Sequence, residues 1–164
     1  MPSDKTTKSL TPKSIPIALL LLRLGFLGNS VLGEWCNIGA DTNVSNLKNT
    51  YEPVRLWNYE SGGFDHTGMQ FLGMIMGDHA KTGINTMINT GTVIGVAGNV
   101  YGSGFPRNFV PDFIMGSSRK TEIFLVKNVC KMATSMMQRR NVIFSGEDEK
   151  MLNSIFEITS PYRK

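Results

Sequence analysis

At 164 residues the chain is long enough for one ordinary domain with a modest core, and 41% hydrophobic with 18% charged residues excludes a disordered polymer. The net charge of +4 comes from scattered basic residues without interleaved aromatics, so no nucleic-acid partner is expected. Two isolated cysteines, Cys36 and Cys130, and two histidines, His66 and His79, fit neither a disulfide framework nor zinc spacing, so the chain reads as a reduced, cytoplasmic protein without a metal.

Residues 1–24 read as a lead segment. Lys5, Lys8 and Lys13 precede an apolar run, IPIALLLL, from Ile15 to Leu22. The run is similar to a signal peptide, but Arg23 interrupts it and no small-x-small cleavage site follows. It falls short of the roughly 20 apolar residues that span a bilayer. A strand or helix packed on the following segment is the expectation, and no membrane partner is expected.

From Phe26 onward a period of six sets in. Phe26, Leu32, Ile38 and Val44 form one run; Met76, Thr82, Ile88, Ile94 and Val100 form a second. Glycine or asparagine follows most of them, and a small residue (Ser30, Cys36, Thr42, Ala80, Thr86, Thr92, Gly98) stands four places on. Six is neither the 3.6 of a helix nor the 2 of a single strand. It is the period of a parallel β-helix, in which each hexad makes a short strand and a corner and three hexads make one triangular coil. The aliphatic residue points inward, and the following glycine or asparagine is expected to carry the unusual backbone of the turn. The reading is an all-β solenoid over 25–116, of about three coils.

Residues 49–69 break the period and read as a loop ejected from the coil. EPVRLWNYE, a turn at Ser61-Gly62-Gly63 and FDHTGMQF suggest a hairpin, either carrying the site or flapping over the prism. GFPRNFVPDF, with two prolines, is expected to close the open end of the prism. Residues 117–164 form a helical tail. Val126, Val129, Cys130, Ala133, Met136 and Met137 share one helical face, with Arg139 and Arg140 expected in its last turn. Ser145 and Asp148 predict a capping box for a second helix that buries Met151, Leu152, Ile155 and Phe156.

NIGADTNVSNLKN, a loop, then MGDHAKTGINTMINTGTVIG resembles the C-terminal lobe of sugar-1-phosphate nucleotidylyltransferases. That family includes the bifunctional UDP-N-acetylglucosamine pyrophosphorylase/glucosamine-1-phosphate N-acetyltransferases; the thymidylyltransferase-like branch is the nearest in pattern. The resemblance implies a left-handed parallel β-helix and a homo-trimer. It also implies a nucleotidyltransferase domain ahead of the coils, with a glycine-rich loop. The first 24 residues hold no glycine, so the chain reads as truncated, and nucleotidyl transfer is not expected of it alone.

For acetyl transfer, with acetyl-CoA as co-substrate, the resemblance places a histidine base and a tyrosine just before the first coil. In RLGFLGNS those places hold Arg23 and Phe26. A guanidinium does not act as a base near neutral pH. No catalytic residue is therefore assigned. Asn37 and Ala40 match an active-site asparagine and an acyl-CoA contact, and Asn46 matches a sugar-binding asparagine. Lys48 and Arg55 stand as donors to a sugar phosphate. The alternative for Asn37 and Asn46 is that they are corner residues with left-handed backbone angles, and for Lys48 a solvated charge. His79 and Lys81 are expected on the surface of a coil. The implied function is that of a transferase-family lobe of sugar-phosphate nucleotidyl or acyl transfer, with impaired acetyl transfer. The alternatives are a non-catalytic oligomerisation or regulatory module and a secreted structural protein.

Overall fold

A computed structural model describes residues 25–163; the apolar run Ile15–Leu22 and Arg23 lie outside them. The hexads build three parallel sheets. Sheet A joins β1 (Phe26–Leu27), β3 (Asn43–Val44) and β8 (Met87–Ile88). Sheet B joins β2 (Val31–Leu32), β6 (Ile75–Met76), β9 (Val93–Ile94) and β11 (Phe109–Val110). Sheet C joins β7 (Lys81–Thr82), β10 (Asn99–Val100), β12 (Ile114–Gly116) and the antiparallel β13 (Thr121–Ile123). Asn37 bridges to Lys81 and supplies the first rung of sheet C. The chain is thus a parallel β-helix of the left-handed, hexapeptide type.

The inward column is the one the period predicts. Val44, Met76, Ile88, Ile94 and Val100 are buried together, with Leu32 and Ile38 packed against them. In the first hexad the inward residue is Leu27, paired with Val44, while Phe26 pairs with Asn43 and is 50% exposed. The hexad starting at Leu27 is one residue short, which slips Phe26 to the outer face.

The turn glycines have a different task from the one expected. The left-handed residue is the third after the inward one: Trp35, Asp41, His79, Asn85, Gly91, Ala97 and Phe113 all have positive φ. The glycine directly after the inward residue is there for space. A Cβ on Gly39 would strike the backbone of Gly83 in the next coil, and one on Gly95 would lie 2.5 Å from Asp112 N. The small position closes the turn. Thr42, Thr86 and Thr92 each donate a hydroxyl hydrogen to the carbonyl three residues back, at 2.8 Å.

The segment expected to cap the prism extends it instead. Val110 of GFPRNFVPDF pairs with Ile94 and enters the core. The cause is hexad spacing resumed after the break at Gly104, with Val110 and Phe113 in the inward and left-handed places.

Between β3 and β6 the chain leaves the A-to-B corner. Leu47 and Phe71 bridge at the base of the excursion, and Leu72 N donates to Asn46 O at 3.0 Å. The excursion forms the expected hairpin: β4 (Arg55–Asn58) pairs with β5 (Gly63–His66), with Gly62 at φ 62 in the turn. It folds onto sheet B, where Trp57 stacks on Phe109 with ring centroids 4.0 Å apart.

Two helices follow, α1 (Val126–Gln138) and α2 (Gly146–Ile158). α1 buries Val129, Cys130, Ala133 and Met137. It ends before Arg139, its C-cap, so neither Arg139 nor Arg140 lies in its last turn. The capping box is present: Asp148 N donates to Ser145 Oγ and Ser145 N to Asp148 Oδ2. α2 buries Leu152, with Ile155 and Phe156 partly covered, while Met151 points outward at 56% exposure. The helices pack on the B-to-C corner, against Ala97 and Phe113. That placement explains the corner's composition. Elsewhere the left-handed position holds Asp41, Asn85 or Gly91, which adopt it with little strain; this corner holds Trp35, His79, Ala97 and Phe113, and at Ala97 and Phe113 helix packing offsets about 1–2 kcal/mol per residue.

Candidate functional site

The matched residues fall on two corners of the prism. Asn37 is exposed on sheet C, and Ala40 is exposed in the C-to-A corner that follows. Asn46 and Lys48 lie at the A-to-B corner, where the excursion departs. Arg55 is exposed at the start of β4. A single chain therefore does not bring the five together. Asn37 and Asn46 are not among the left-handed residues, so neither is a corner residue of that kind.

Asn46 is set by a partner that the sequence did not single out. Its Nδ2 donates to Asn29 Oδ1 at 2.7 Å. Asn29 is left-handed, with φ 49, and Gly73 N donates to its carbonyl at 2.8 Å. The bond spends one amide hydrogen and leaves the side-chain oxygen, Asn46 Oδ1, to accept. The signal was present only as an asparagine two residues after an inward leucine.

Phe26 belongs to the same corner. Its para carbon and the Asn46 amide nitrogen lie 2.6 and 2.8 Å from where a Cβ on Gly28 would stand. A hydroxyl at this ring position would emerge beside Asn46. Gly28 keeps the space between them open.

The two basic candidates have internal partners. Lys48 Nζ donates to Pro53 O at 3.1 Å and Arg55 Nη2 to Phe64 O at 2.7 Å. Both bonds brace the excursion. Both are to neutral carbonyls, which a phosphate oxygen would outcompete.

His79 and Lys81 are not surface residues of the coil. His79 is only 7% exposed, in the B-to-C corner, and its Nδ1 has no hydrogen-bond partner among the described residues. Burial, then the neighbouring Lys81, lowers its pKa. Lys81 Nζ donates to Trp35 O at 2.8 Å and His79 O at 3.0 Å, beside Met136 Sδ of α1. Burial pushes its pKa down to about 8. Burial likewise pushes the Cys36 thiol up to about 11, so it stays protonated and unreactive near neutral pH. His66, the other histidine, is exposed on β5 across from Arg55. Among the described residues no cluster of three His, Cys, Asp or Glu side chains is placed to hold a metal ion. No helix there is long and apolar enough to cross a membrane.

No family model matches the chain. Over 72 residues it is 38% identical to the bifunctional protein GlmU of Methanocaldococcus jannaschii, a stretch covering 44% of this chain and 17% of that protein. Over 78 residues it is 35% identical to a bifunctional sugar-1-phosphate nucleotidylyltransferase/acetyltransferase of Sulfurisphaera tokodaii, covering 48% and 19%. Over 72 residues it is 33% identical to the GlmU of Methanococcus vannielii, covering 44% and 17%. The chain thus matches less than a fifth of the length of these curated relatives.

Proposed function

From coils homologous to those of bifunctional sugar-1-phosphate nucleotidylyltransferase/acetyltransferases, we propose that this solenoid is a transferase-derived lobe of nucleotide-sugar biosynthesis in the cytoplasm. It binds a sugar phosphate at the A-to-B corner, and its acetyl transfer from acetyl-CoA is impaired. The observation that carries this reading is the Phe26–Gly28–Asn46 arrangement: the amide that would meet a sugar is retained, and the ring beside it carries no hydroxyl.

In this reading Asn46 Oδ1 accepts from the sugar. Lys48 and Arg55 exchange their carbonyl partners for the phosphate. Asn37 and Ala40, at the next corner, border the acyl carrier. Because the two groups sit on different corners of one prism, they complete one site only between copies, which supports a homo-trimer. Calorimetric titration with glucosamine-1-phosphate tests the reading. Saturable binding that is lost in Asn46→Ala is expected; a wild-type chain that binds no sugar phosphate overturns it.

A second reading, a non-catalytic assembly module, is favoured by the outer face of sheet A, where Phe26 and Met87 are 50% and 42% exposed. Sedimentation separates the two. Assembly without any sugar-phosphate binding would favour the second.

A further inference from the structure

The hairpin and the C-terminal turn hold each other. We infer that Tyr162 is a clasp, by which the last residues keep the β4–β5 hairpin seated on sheet B, and that opening the clasp frees the hairpin while the coils stay folded. This goes beyond the transferase reading and does not depend on it.

The hairpin is an excursion, so nothing in the coil register fixes where its tip lies. Its tip is fixed at three points. Trp57 stacks flat on Phe109, with planes 9° apart. Tyr59 Oη donates to Asp112 Oδ2 at 2.6 Å. Asp112 is buried and its other oxygen accepts from Val96 N at 2.7 Å, so this anchor is part of the coil itself. The third point is Tyr162, whose hydroxyl donates to Tyr59 O at 3.1 Å, 103 residues away. Its ring stands edge-on to Trp57, Tyr59 and Phe109, with centroids at 5.8, 5.3 and 6.1 Å. One side chain thus touches both rings of the stack and Tyr59 beside them.

The tail is itself held from behind. Arg163 lies over the Phe156 ring at 4.0 Å and donates to Thr159 Oγ1 at 2.7 Å and to Phe156 O. These groups belong to the end of α2, which packs on the B-to-C corner. A path of contacts therefore runs from the helices through Tyr162 to the hairpin. The coils do not need it. Their ladder is backbone hydrogen bonding between strands, and their inward column contains neither Tyr162 nor any hairpin residue.

Amide hydrogen exchange on the full chain tests this. In Tyr162→Ala, amides of residues 55–66 should exchange at least about tenfold faster, while those of β9 and β10 keep their rates. Tyr162→Phe, which retains the ring and loses the hydroxyl, should give a smaller acceleration confined to the same residues. In a Trp35→Phe background the emission of Trp57 should shift to the red in Tyr162→Ala. Unchanged exchange in the hairpin would overturn the inference. So would acceleration of hairpin and coil together, since the tail would then be a part of the core and no clasp.

Discussion

Thr42 and Thr82 face each other inside the prism with their hydroxyl oxygens 3.1 Å apart. Thr82 occupies an inward place that aliphatic residues fill in most neighbouring hexads. It is tolerated there because its hydroxyl accepts from Gly39 N at 3.1 Å. Each of its neighbours also has a second partner. Gly39 N reaches Thr82 O at 3.0 Å, and Thr42 Oγ1 donates to Gly39 O. Thr82→Val therefore leaves no buried group unpaired and should change stability by about 1 kcal/mol or less. Thermal unfolding checks this; a loss of several kcal/mol would mean that the pair itself holds the coil.

Ile94 gives the opposite case. It is fully buried in the inward column, among Met76, Val110 and other apolar neighbours. Ile94→Asp buries a carboxylate with no partner and should cost more than about 4 kcal/mol, enough to abolish the folded state. A variant that retained a cooperative thermal transition would show that the register is wrong.

The corners separate space from backbone angle. Asn85 is exposed and left-handed, with φ 54. Asn85→Val should cost about 1–2 kcal/mol, and Asn85→Gly should be near neutral. Gly39 lies outside the left-handed region, yet Gly39→Ala should cost about 1–3 kcal/mol because the coil above leaves no room for a methyl group. Urea midpoints for the three variants test both statements.

Burial of His79 sets a pH dependence. Its folded pKa is lowered below the ordinary 6.5, chiefly by desolvation and then by Lys81, against the opposing charges of Asp78 and Asp148. Below about pH 6.5 the unfolded chain takes up a proton that the folded chain refuses. His79 thus contributes its full stability above pH 6.5, and that contribution falls as the pH drops toward the folded value. His79→Asn suits the left-handed backbone and removes the titration. Its urea midpoint should change less between pH 7.5 and pH 5 than that of the wild type.

Acetyl transfer should be near background in the unmodified chain. Arg23→His with Phe26→Tyr should raise it, since a positioned general base typically contributes about 10²–10⁴-fold. Product formation from acetyl-CoA and glucosamine-1-phosphate, compared between the two proteins, is the measurement. Robust turnover by the unmodified chain would require a different base.

The column Val44, Ile88 and Ile94 was legible because the period of six is imposed by the coil itself. So were the hairpin, the capping box and the buried face of α1, which rest on local patterns. Phe26 was misassigned because a hexad one residue short looks regular from either neighbour. The role of the glycines was hidden because the atoms that crowd them lie far away in sequence, as Gly83 does for Gly39. His79 read as a surface residue because no hexad announces that its corner is buried. In the candidate site, the geometry around the two asparagines was not legible. Asn29 carries no motif, and the Tyr59–Asp112–Tyr162 contacts join residues up to 103 positions apart.

The chain leaves the coil at Leu47 and returns to it at Phe71, and those two residues are neighbours. An excursion whose ends already meet places no demand on the length of what lies between. Doubling a flexible loop adds only about 0.6 kcal/mol of closure entropy. This corner is therefore a graft point. Hairpins of other lengths, or an unrelated peptide, could be displayed there without shifting any rung above or below, provided that they leave Asn46 O and Leu72 N to close the gap.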